Sequence, residues 1–327
     1  MSALRRLALG FPLEWEHRRG YAFDALAHPG AGPYFIEWDP GSGVYGEDWT
    51  ASARDAAGVL LTGTAKVYHP IRIAQFALHR HGRWLAAGDD AARVEFLAQA
   101  RWLRDRQQRG GIPGLYRFGF PWKKYAAPRG WSSAMAQGEA ISVLLRAEGL
   151  QPGAGFGSAA LRAAEPFRYD LAEGGVVWRS GTDVFFEEIA NRYAPHVLNG
   201  CVFALWGLWE LAERGGDAQH RRLAEACAIT LRRWVPAYDT GWWTLYSLLR
   251  SAARRPHIAT LKYHAFHVAQ MRVLAEMFDE RVFAAAADRW SSYVENRACR
   301  SRLFAATVRS LPERLLGRDT VAGGARV

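Results

Sequence analysis

One segment of the chain predicts a helix without a solvent-exposed polar face. This prediction restricts the fold more than any other feature of the sequence. From Val197 to Leu211 the sequence VLNGCVFALWGLWEL is apolar on nearly all sides of a helix. Such a helix has to lie between neighbouring elements, because a surface helix keeps one polar face. The chain must therefore supply further elements that surround it.

Helical patterns of moderate length continue from residue 66 onward, joined by Gly- and Pro-rich connectors. The predicted ranges are 66–82, 90–108, 133–148, 158–169, 195–214, 217–234, 242–252, 261–278 and 280–295, with another considered at 301–316. Buried and amphipathic helices alternate, which favours a mainly α fold built as a double ring of helices, an incomplete α/α toroid. Because no strict sequence repeat is visible, an irregular helical array is the alternative.

The N-terminal residues have a different character from the helical part. The turn-rich DPGSG (Asp39–Gly43) follows YFIEW (Tyr34–Trp38) and predicts a short β-hairpin or a long ordered loop. The predicted organisation is an irregular or hairpin segment at 1–64, a helical domain at 65–316 and a flexible tail at 317–327.

Composition narrows the class of partner. Half of the 327 residues are hydrophobic, so a large core is expected. The 42 Lys and Arg residues exceed the 32 Asp and Glu residues, which gives a formal net charge of +10. This excess indicates either an Arg-rich composition or an acidic partner, such as nucleic acid, anionic lipid or a polyanionic glycan. Since no dense basic block is interleaved with aromatic residues, nucleic acid is not expected.

Cysteine usage and hydropathy bear on the compartment. Cys201, Cys227 and Cys299 lie in apolar helical contexts without a CxxC spacing, so we expect core thiols, no disulfide framework and a reducing compartment. The sequence contains no run of about 18 apolar residues, so no membrane span is predicted. The N-terminal apolar stretch is too short for a signal peptide. A soluble, cytoplasmic protein without a membrane partner is predicted, and a homodimer is compatible with the sequence.

Two segments near predicted helix starts hold candidate polar residues. GWSSAMAQGEAISVLLRA (Gly130–Ala147) has small residues early in its helix, which indicate close approach of a ligand or of another helix, with Gln137 and Glu139 able to face a cavity. A second polar cluster precedes the buried helix, and it predicts either a site or simple capping. That cluster comprises Glu187, Glu188, Asn191, Arg192, Tyr193, His196 and Asn199.

The strongest candidates lie between Tyr238 and Gln270, where Tyr246, Arg250, Tyr263, His264 and His267 interrupt apolar runs. Phenols, imidazoles and a guanidinium suit proton transfer beside an anionic group. A metal site at the two histidines lacks a carboxylate third ligand. HExxH, P-loop and GxSxG motifs are missing, so neither a metal nor a cofactor is predicted.

Four segments in order resemble the C-terminal helical domain of D-glucuronyl C5-epimerases. They are GWSSAMAQGEAISVLLRA, APHVLNGCVFALWGLWEL, AYDTGWWTLYSLL and LKYHAFHVAQM, and the upstream YHPIRIAQFAL is similar to a further element of that family. The resemblance spans residues 58–293. It implies a cleft for an acidic, glucuronate-containing polysaccharide and inversion of glucuronate to iduronate at C5 in a heparosan-like polymer.

The resemblance also implies residue roles. Tyr246 and Tyr263 correspond to acid–base phenols, and Glu188 to a carboxylate that assists them. Arg250 lies one residue later than the substrate arginine of the family, and Ile189 stands where the family often has Tyr. A polysaccharide lyase and an inactive glycan-binding homologue are the alternatives. The predicted substrate-binding residues are Arg250, His264, His267, Asn199, Gln137, Tyr193, Arg192 and Tyr68.

Overall fold

The computed structural model describes residues 25–38, 49–250 and 255–315, with backbone alone at residues 250 and 311–315. The helices are α1 (Pro70–Ala87), α2 (Asp90–Asp105), α3 (Ala134–Leu150), α4 (Phe156–Ala164), α5 (Leu198–Glu213), α6 (Ala218–Trp234), α7 (Leu261–Phe278), α8 (Arg281–Glu295) and α9 (Arg297–Leu315). Two antiparallel strand pairs join them, β1 (Val177–Ser180) with β2 (Asp183–Phe186) and β3 (Leu245–Arg250) with β4 (Pro256–Ile258). The predicted mainly α class is confirmed.

Several helices begin where local sequence chemistry favours a start. Pro70 occupies the first turn of α1, and the His69 side chain accepts a hydrogen bond from the backbone N–H of Arg72. Ser133 caps α3 and Thr260 caps α7 in the same way. These side chains satisfy backbone N–H groups that have no partner inside the helix.

The helices pack as successive hairpins. α1 packs on α2, α3 on α4, α5 on α6 and α7 on α8, while α1, α3, α5 and α7 contact one another in chain order. The second set forms an inner row, in which every residue of α5 from Leu198 to Leu208 is buried. The predicted all-round burial of this helix is therefore confirmed, and the two-row packing agrees with the double ring, which stays a prediction.

Glycine allows the two central helices of that row to touch. A Cβ on Gly138 in α3 would lie 2.5 Å from the Cα of Ala204 in α5, and one on Gly207 would lie 2.0 Å from the carbonyl oxygen of Gly138. Of the two readings of the small residues in α3, close helix packing is the one that explains Gly138.

Replacing Gly138 with Ala is therefore expected to destabilise the protein by about 1–3 kcal/mol, because two rigid backbones must separate. Gly149 is a matched control in the same helix, since an added Cβ there meets nothing within 4 Å. Its replacement by Ala should be neutral or stabilise by up to about 1 kcal/mol. Urea unfolding of both variants makes the comparison, and equal stabilities would contradict this packing.

The segment before α1 joins the same core as the helices. Tyr34, Phe35, Ile36 and Trp38 are buried, and the Tyr34 ring stacks on Phe203 with centroids 6.4 Å apart. Residues 34–38 are irregular, because consecutive side chains are buried without the alternation of a strand. The predicted turn at Asp39–Gly43 and the tail at 317–327 lie outside the described residues, and the domain boundary at residues 64 and 65 stays a prediction.

A buried ion pair fastens that segment to the inner helices. The Arg146 guanidinium in α3 donates to both carboxylate oxygens of Glu210 in α5, at 2.7 and 3.1 Å. It also donates to the carbonyl oxygens of Gly32 and Pro33 at 3.0 Å. Both charged side chains are fully buried.

The helix predicted at 242–252 is wrong. This segment forms β3, in which Leu245 pairs with Ile258 and Ser247 pairs with His257. A short apolar run fits a buried strand and a buried helix equally well, and pairing with β4 decides between them here. Consequently Arg250, which lies one residue later than the substrate arginine of the family, is the last residue of a strand and does not lie on a helix.

The cysteines lie inside the helical core, as predicted. Cys201 and Cys227 are fully buried free thiols whose sulfur atoms are 3.4 Å apart, and they link α5 to α6. Cys299 is also a buried free thiol.

Candidate active site

Several connected elements bring the candidate residues to one place. Glu188 follows β2, where Ala190 bridges to Ser132 just ahead of α3. Tyr246 lies on β3, and the neighbouring Ser247 bridges to Val197 at the start of α5. Backbone pairing thus fixes the acid and the phenol against the inner helices.

The structure brings together the three residues predicted to act in proton transfer. The Tyr246 hydroxyl lies 3.3 and 3.4 Å from the two carboxyl oxygens of Glu188. The rings of Tyr246 and Tyr263 meet edge to face with centroids 4.6 Å apart. Tyr246 and Glu188 are 6% and 4% exposed, whereas Tyr263, in the first turn of α7, is half-buried. One phenol is therefore held on a buried acid, and the other lies closer to solvent.

Burial changes the proton affinity of this group of side chains. It raises the pKa of Glu188 to about 8, although the hydrogen bond from Tyr246 opposes the shift and the charge of Glu187 adds to it. Burial also raises the pKa of Tyr246 well above its usual value, with the charge of Glu188 next in importance. Near neutral pH the phenol and most of the Glu188 carboxyl are therefore protonated.

A second buried acid lies near Glu188. Glu139 in α3 is fully buried and accepts a hydrogen bond from the Gln75 side chain at 3.1 Å, while its other oxygen has no hydrogen-bond partner among the described residues. Burial raises its pKa well above the usual value, and the nearby charge of Glu188 adds to the rise. The site thus contains two neighbouring carboxyl groups that favour the protonated form.

Gly200 makes room for Glu188. A Cβ on Gly200 would lie 2.4 Å from the Cβ and from one carboxyl oxygen of Glu188. The adjacent Asn199 is buried; its carbonyl oxygen accepts a bond from Gln270 at 2.9 Å, and its side-chain oxygen has no hydrogen-bond partner among the described residues. The space needed by Glu188 explains Gly200, the third residue of α5.

The structure places His264 and His267 in the protein interior. Both rings contact the Thr244 hydroxyl through Nδ1, at 2.8 and 2.9 Å, and His264 Nε2 donates to the Trp290 carbonyl oxygen at 2.9 Å. Burial lowers the pKa of His264 to about 4 and that of His267 well below its usual value. The two imidazoles are therefore neutral; both contact Thr244, just before β3, and His264 also contacts Trp290 in α8. Substrate contact by these two histidines stays a prediction.

Other predicted contacts are also occupied within the protein. The Gln137 side chain accepts from the Tyr116 backbone N–H and donates to the carbonyl oxygens of Gly114 and Ala163, so its hydrogen bonds hold a loop and the end of α4. Tyr68 donates to Asp55 at 2.7 Å. Both side chains thus make contacts within the protein, and their contact with substrate stays a prediction.

Of the remaining predicted substrate-binding residues, Arg192 and Tyr193 lie at the surface. Arg192 is exposed and donates to the Tyr193 hydroxyl at 2.8 Å. The Arg250 side chain lies outside the described residues. Substrate contact by these three residues stays a prediction.

Lys124, Tyr125 and His257 adjoin the acid–phenol cluster although the sequence analysis did not single them out. The His257 ring lies 4.8 Å from the Tyr246 ring, and Lys124 Nζ lies 3.0 Å from His257 Nε2. Tyr125 is buried and holds Asn191, whose amide donates to its carbonyl oxygen at 2.8 Å. A Lys-Lys-Tyr sequence inside the aromatic loop FGFPWKKY was the available signal.

Two kinds of feature are missing from residues 25–38, 49–250 and 255–315. Within these ranges His, Cys, Asp and Glu side chains form no group of three able to hold a metal ion. The helices of this part of the chain include none that is long and apolar enough to cross a membrane.

The fold and the site define a mainly α-helical protein in which a buried carboxyl group and two phenols are equipped for general acid–base chemistry. The family model described as D-glucuronyl C5-epimerase C-terminus matches residues 108–292, which include all three side chains. The chain belongs to the D-glucuronyl C5-epimerase family.

Two relatives illustrate this membership. The chain is 32% identical over 212 residues to a D-glucuronyl C5-epimerase of Caenorhabditis elegans, an alignment that covers 61% of this chain and 34% of that protein. It is 22% identical over 180 residues to an uncharacterized protein of Methanocaldococcus jannaschii, covering 54% and 56% of the two chains. The aligned part of the chain thus spans about a third to just over half of these relatives.

The raised pKa of Glu188 predicts how stability depends on pH. The folded state keeps a proton that the unfolded chain releases above about pH 4.5, so this contribution to stability is complete below pH 4.5 and is lost as pH rises to about 8. Glu188→Gln should flatten the fall in unfolding free energy between pH 5 and 8, measured by urea titration. Glu139 acts in the same direction, so the double variant should be flatter still.

The exposed Glu225 in α6 supplies the control. Glu225→Gln should keep the pH dependence of the parent protein, because this side chain is exposed to solvent and lies in a different helix from the two buried acids. If the unfolding free energy of Glu188→Gln fell with pH as steeply as that of the parent protein, the raised pKa of Glu188 would be contradicted.

Proposed function

We propose that this protein inverts C5 of D-glucuronic acid residues in a heparosan-like polysaccharide by removing and returning a proton. The observation that carries the proposal is the contact of Tyr246 with the buried Glu188, beside a second phenol on Tyr263. Family membership supports the same chemistry. The net charge of +10 favours a polyanionic substrate.

The reaction explains why such groups are needed. The hydrogen on C5 is α to a carboxylate, so its removal places further negative charge on an oxygen pair that is already anionic. Donors or cations at those oxygens have to stabilise this charge. Inversion also requires one proton-transfer group on each face of the sugar ring.

The acid–phenol pair can perform one half of this transfer. The proposed step uses the ionised form of Glu188, which is the minor form near neutral pH. The C5–H bond breaks, its proton passes to the Tyr246 oxygen, and the phenolic proton passes to the Glu188 carboxylate. The electrons of the broken bond spread into the sugar carboxylate. Since a free phenol has a pKa near 10, a carboxylate whose pKa is raised to about 8 is a far better acceptor for its proton than an ordinary one.

The second phenol completes the inversion. Tyr263 donates its hydroxyl proton to C5 from the opposite face, which gives iduronate, and it regains a proton from solvent through its half-buried position. Glu188 then releases the proton that it accepted, which restores the starting state. No redox change occurs in either half.

Incubation with heparosan in deuterated water tests the proposal. Deuterium at C5 together with iduronate signals in the NMR spectrum is the expected result. A product with an unsaturated, ultraviolet-absorbing end would establish a polysaccharide lyase instead, because β-elimination proceeds from the same C5 carbanion. Binding without either product would reduce the protein to a glycan-binding homologue.

A further inference from the structure

A lysine and a histidine form an ordered pair beside the acid–phenol cluster. Lys124 Nζ lies 3.0 Å from His257 Nε2, and His257 Nδ1 lies 2.9 Å from the Ser247 hydroxyl oxygen. Ser247 is the strand neighbour of Tyr246, and the His257 ring is 4.8 Å from the Tyr246 ring. One short stretch of β3 therefore positions both the phenol and this pair.

Hydrogen-bond chemistry fixes the roles within the pair. A lysine ammonium can only donate, so His257 Nε2 has to accept and its proton has to sit on Nδ1. Nδ1–H then donates to the Ser247 hydroxyl. The imidazole is neutral in this arrangement and orients the ammonium of Lys124.

We propose that Lys124 binds the carboxylate of the uronate whose C5 is inverted, and that His257 is the positioning residue that holds Lys124 there. This inference rests on the proposed function. The sugar carboxylate is bonded directly to C5, so the group that binds it has to border the phenol that reaches C5–H. Lys124 meets this requirement through His257, and both side chains are half-buried, where a charge is screened less than at the surface.

The position also gives Lys124 a part in the reaction. Charge accumulates on the carboxylate oxygens as the C5–H bond breaks, and an ammonium already placed there stabilises the product of that step more than the starting sugar. Lys124 is therefore expected to act on binding and on turnover, whereas His257 acts through Lys124.

The test compares Lys124→Met with Lys123→Met, since Lys123 is exposed in the same short 3-10 helix. Binding of a glucuronate oligosaccharide is measured by calorimetry against the same oligosaccharide with its carboxyl groups reduced to alcohols. Loss of a charge-assisted hydrogen bond should cut the preference for the uronate by about 10- to 100-fold in Lys124→Met. Lys123→Met should keep the preference, and Lys124→Arg should restore much of it.

His257→Asn provides the second measurement, because Asn can still donate to Ser247 but cannot reach Lys124. The expected result is a partial loss of the same preference, with an unfolding temperature matching that of the parent protein. A purely structural histidine would alter stability without changing the ratio between the two ligands.

The outcomes separate this inference from the proposed function. Deuterium exchange by the parent protein, with equal preferences in Lys124→Met and Lys123→Met, would overturn the carboxylate site and leave the epimerase intact. Loss of preference in Lys124→Met alone, without any exchange by the parent protein, would support the carboxylate site and overturn the epimerase. A parent protein that binds both oligosaccharides equally would overturn the carboxylate site.

Discussion

Replacing Tyr246 with Phe is expected to lower the rate of C5 deuterium exchange by about 10²- to 10⁴-fold, the usual contribution of a general acid–base group. The substitution removes one oxygen and keeps the ring that packs on Tyr263 and His257. The loss should therefore appear in turnover, with substrate binding little changed. NMR-detected exchange on heparosan in deuterated water measures the effect.

Tyr169→Phe is the control, because this tyrosine is half-buried and lies before β1, in a different part of the fold from Tyr246. It should exchange deuterium at the rate of the parent protein. If Tyr246→Phe matched it, the relay from the sugar through Tyr246 to Glu188 would be wrong, and another base would have to be sought.

Replacing Arg146 with Met is expected to destabilise the protein by about 3–5 kcal/mol, because Glu210 would remain buried without its cation. The variant also loses the donors that hold the carbonyl oxygens of Gly32 and Pro33. The segment at residues 25–38 should therefore become more accessible. Urea unfolding and amide hydrogen exchange measure the two effects.

A surface ion pair between α5 and α6 provides the comparison. Arg221 and Glu213 lie 2.9 Å apart but are 47% and 29% exposed. Arg221→Met should cost less than about 1 kcal/mol. Combining Arg146→Met with Glu210→Leu should recover part of the loss, since no unpaired charge is then buried. Equal losses of unfolding free energy in Arg146→Met and Arg221→Met would contradict the stabilising role of the buried Arg146–Glu210 pair.

Burial of the central helix was predictable from its apolar sequence alone, and the helices predicted at 66–82 and 133–148 lie close to the observed α1 and α3. The strand at Leu245–Arg250 was not, because a short apolar run does not distinguish a strand from a helix and its partner β4 lies several residues away. Local patterns thus determined the helices, whereas pairing determined the strand.

The candidate site divides in the same way. The resemblance to the family pointed to Tyr246, Tyr263 and Glu188, and the fold brings them into contact. His264 and His267 fit the residue types of a substrate site, but the sequence alone does not show that both rings form hydrogen bonds with the Thr244 hydroxyl. Lys124 and His257 are 133 positions apart, so their contact could not be read from spacing.

The central claim is that Tyr246 and Tyr263 reach opposite faces of one bound uronate. A crystal structure of the Glu188→Gln variant with a glucuronate oligosaccharide tests it most directly. We predict C5 of one sugar roughly 3–3.5 Å from each phenolic oxygen, the separation of a reactive complex, with the two oxygens on opposite sides of the ring. A sugar that contacts only one phenol, or binds away from both, would contradict the account.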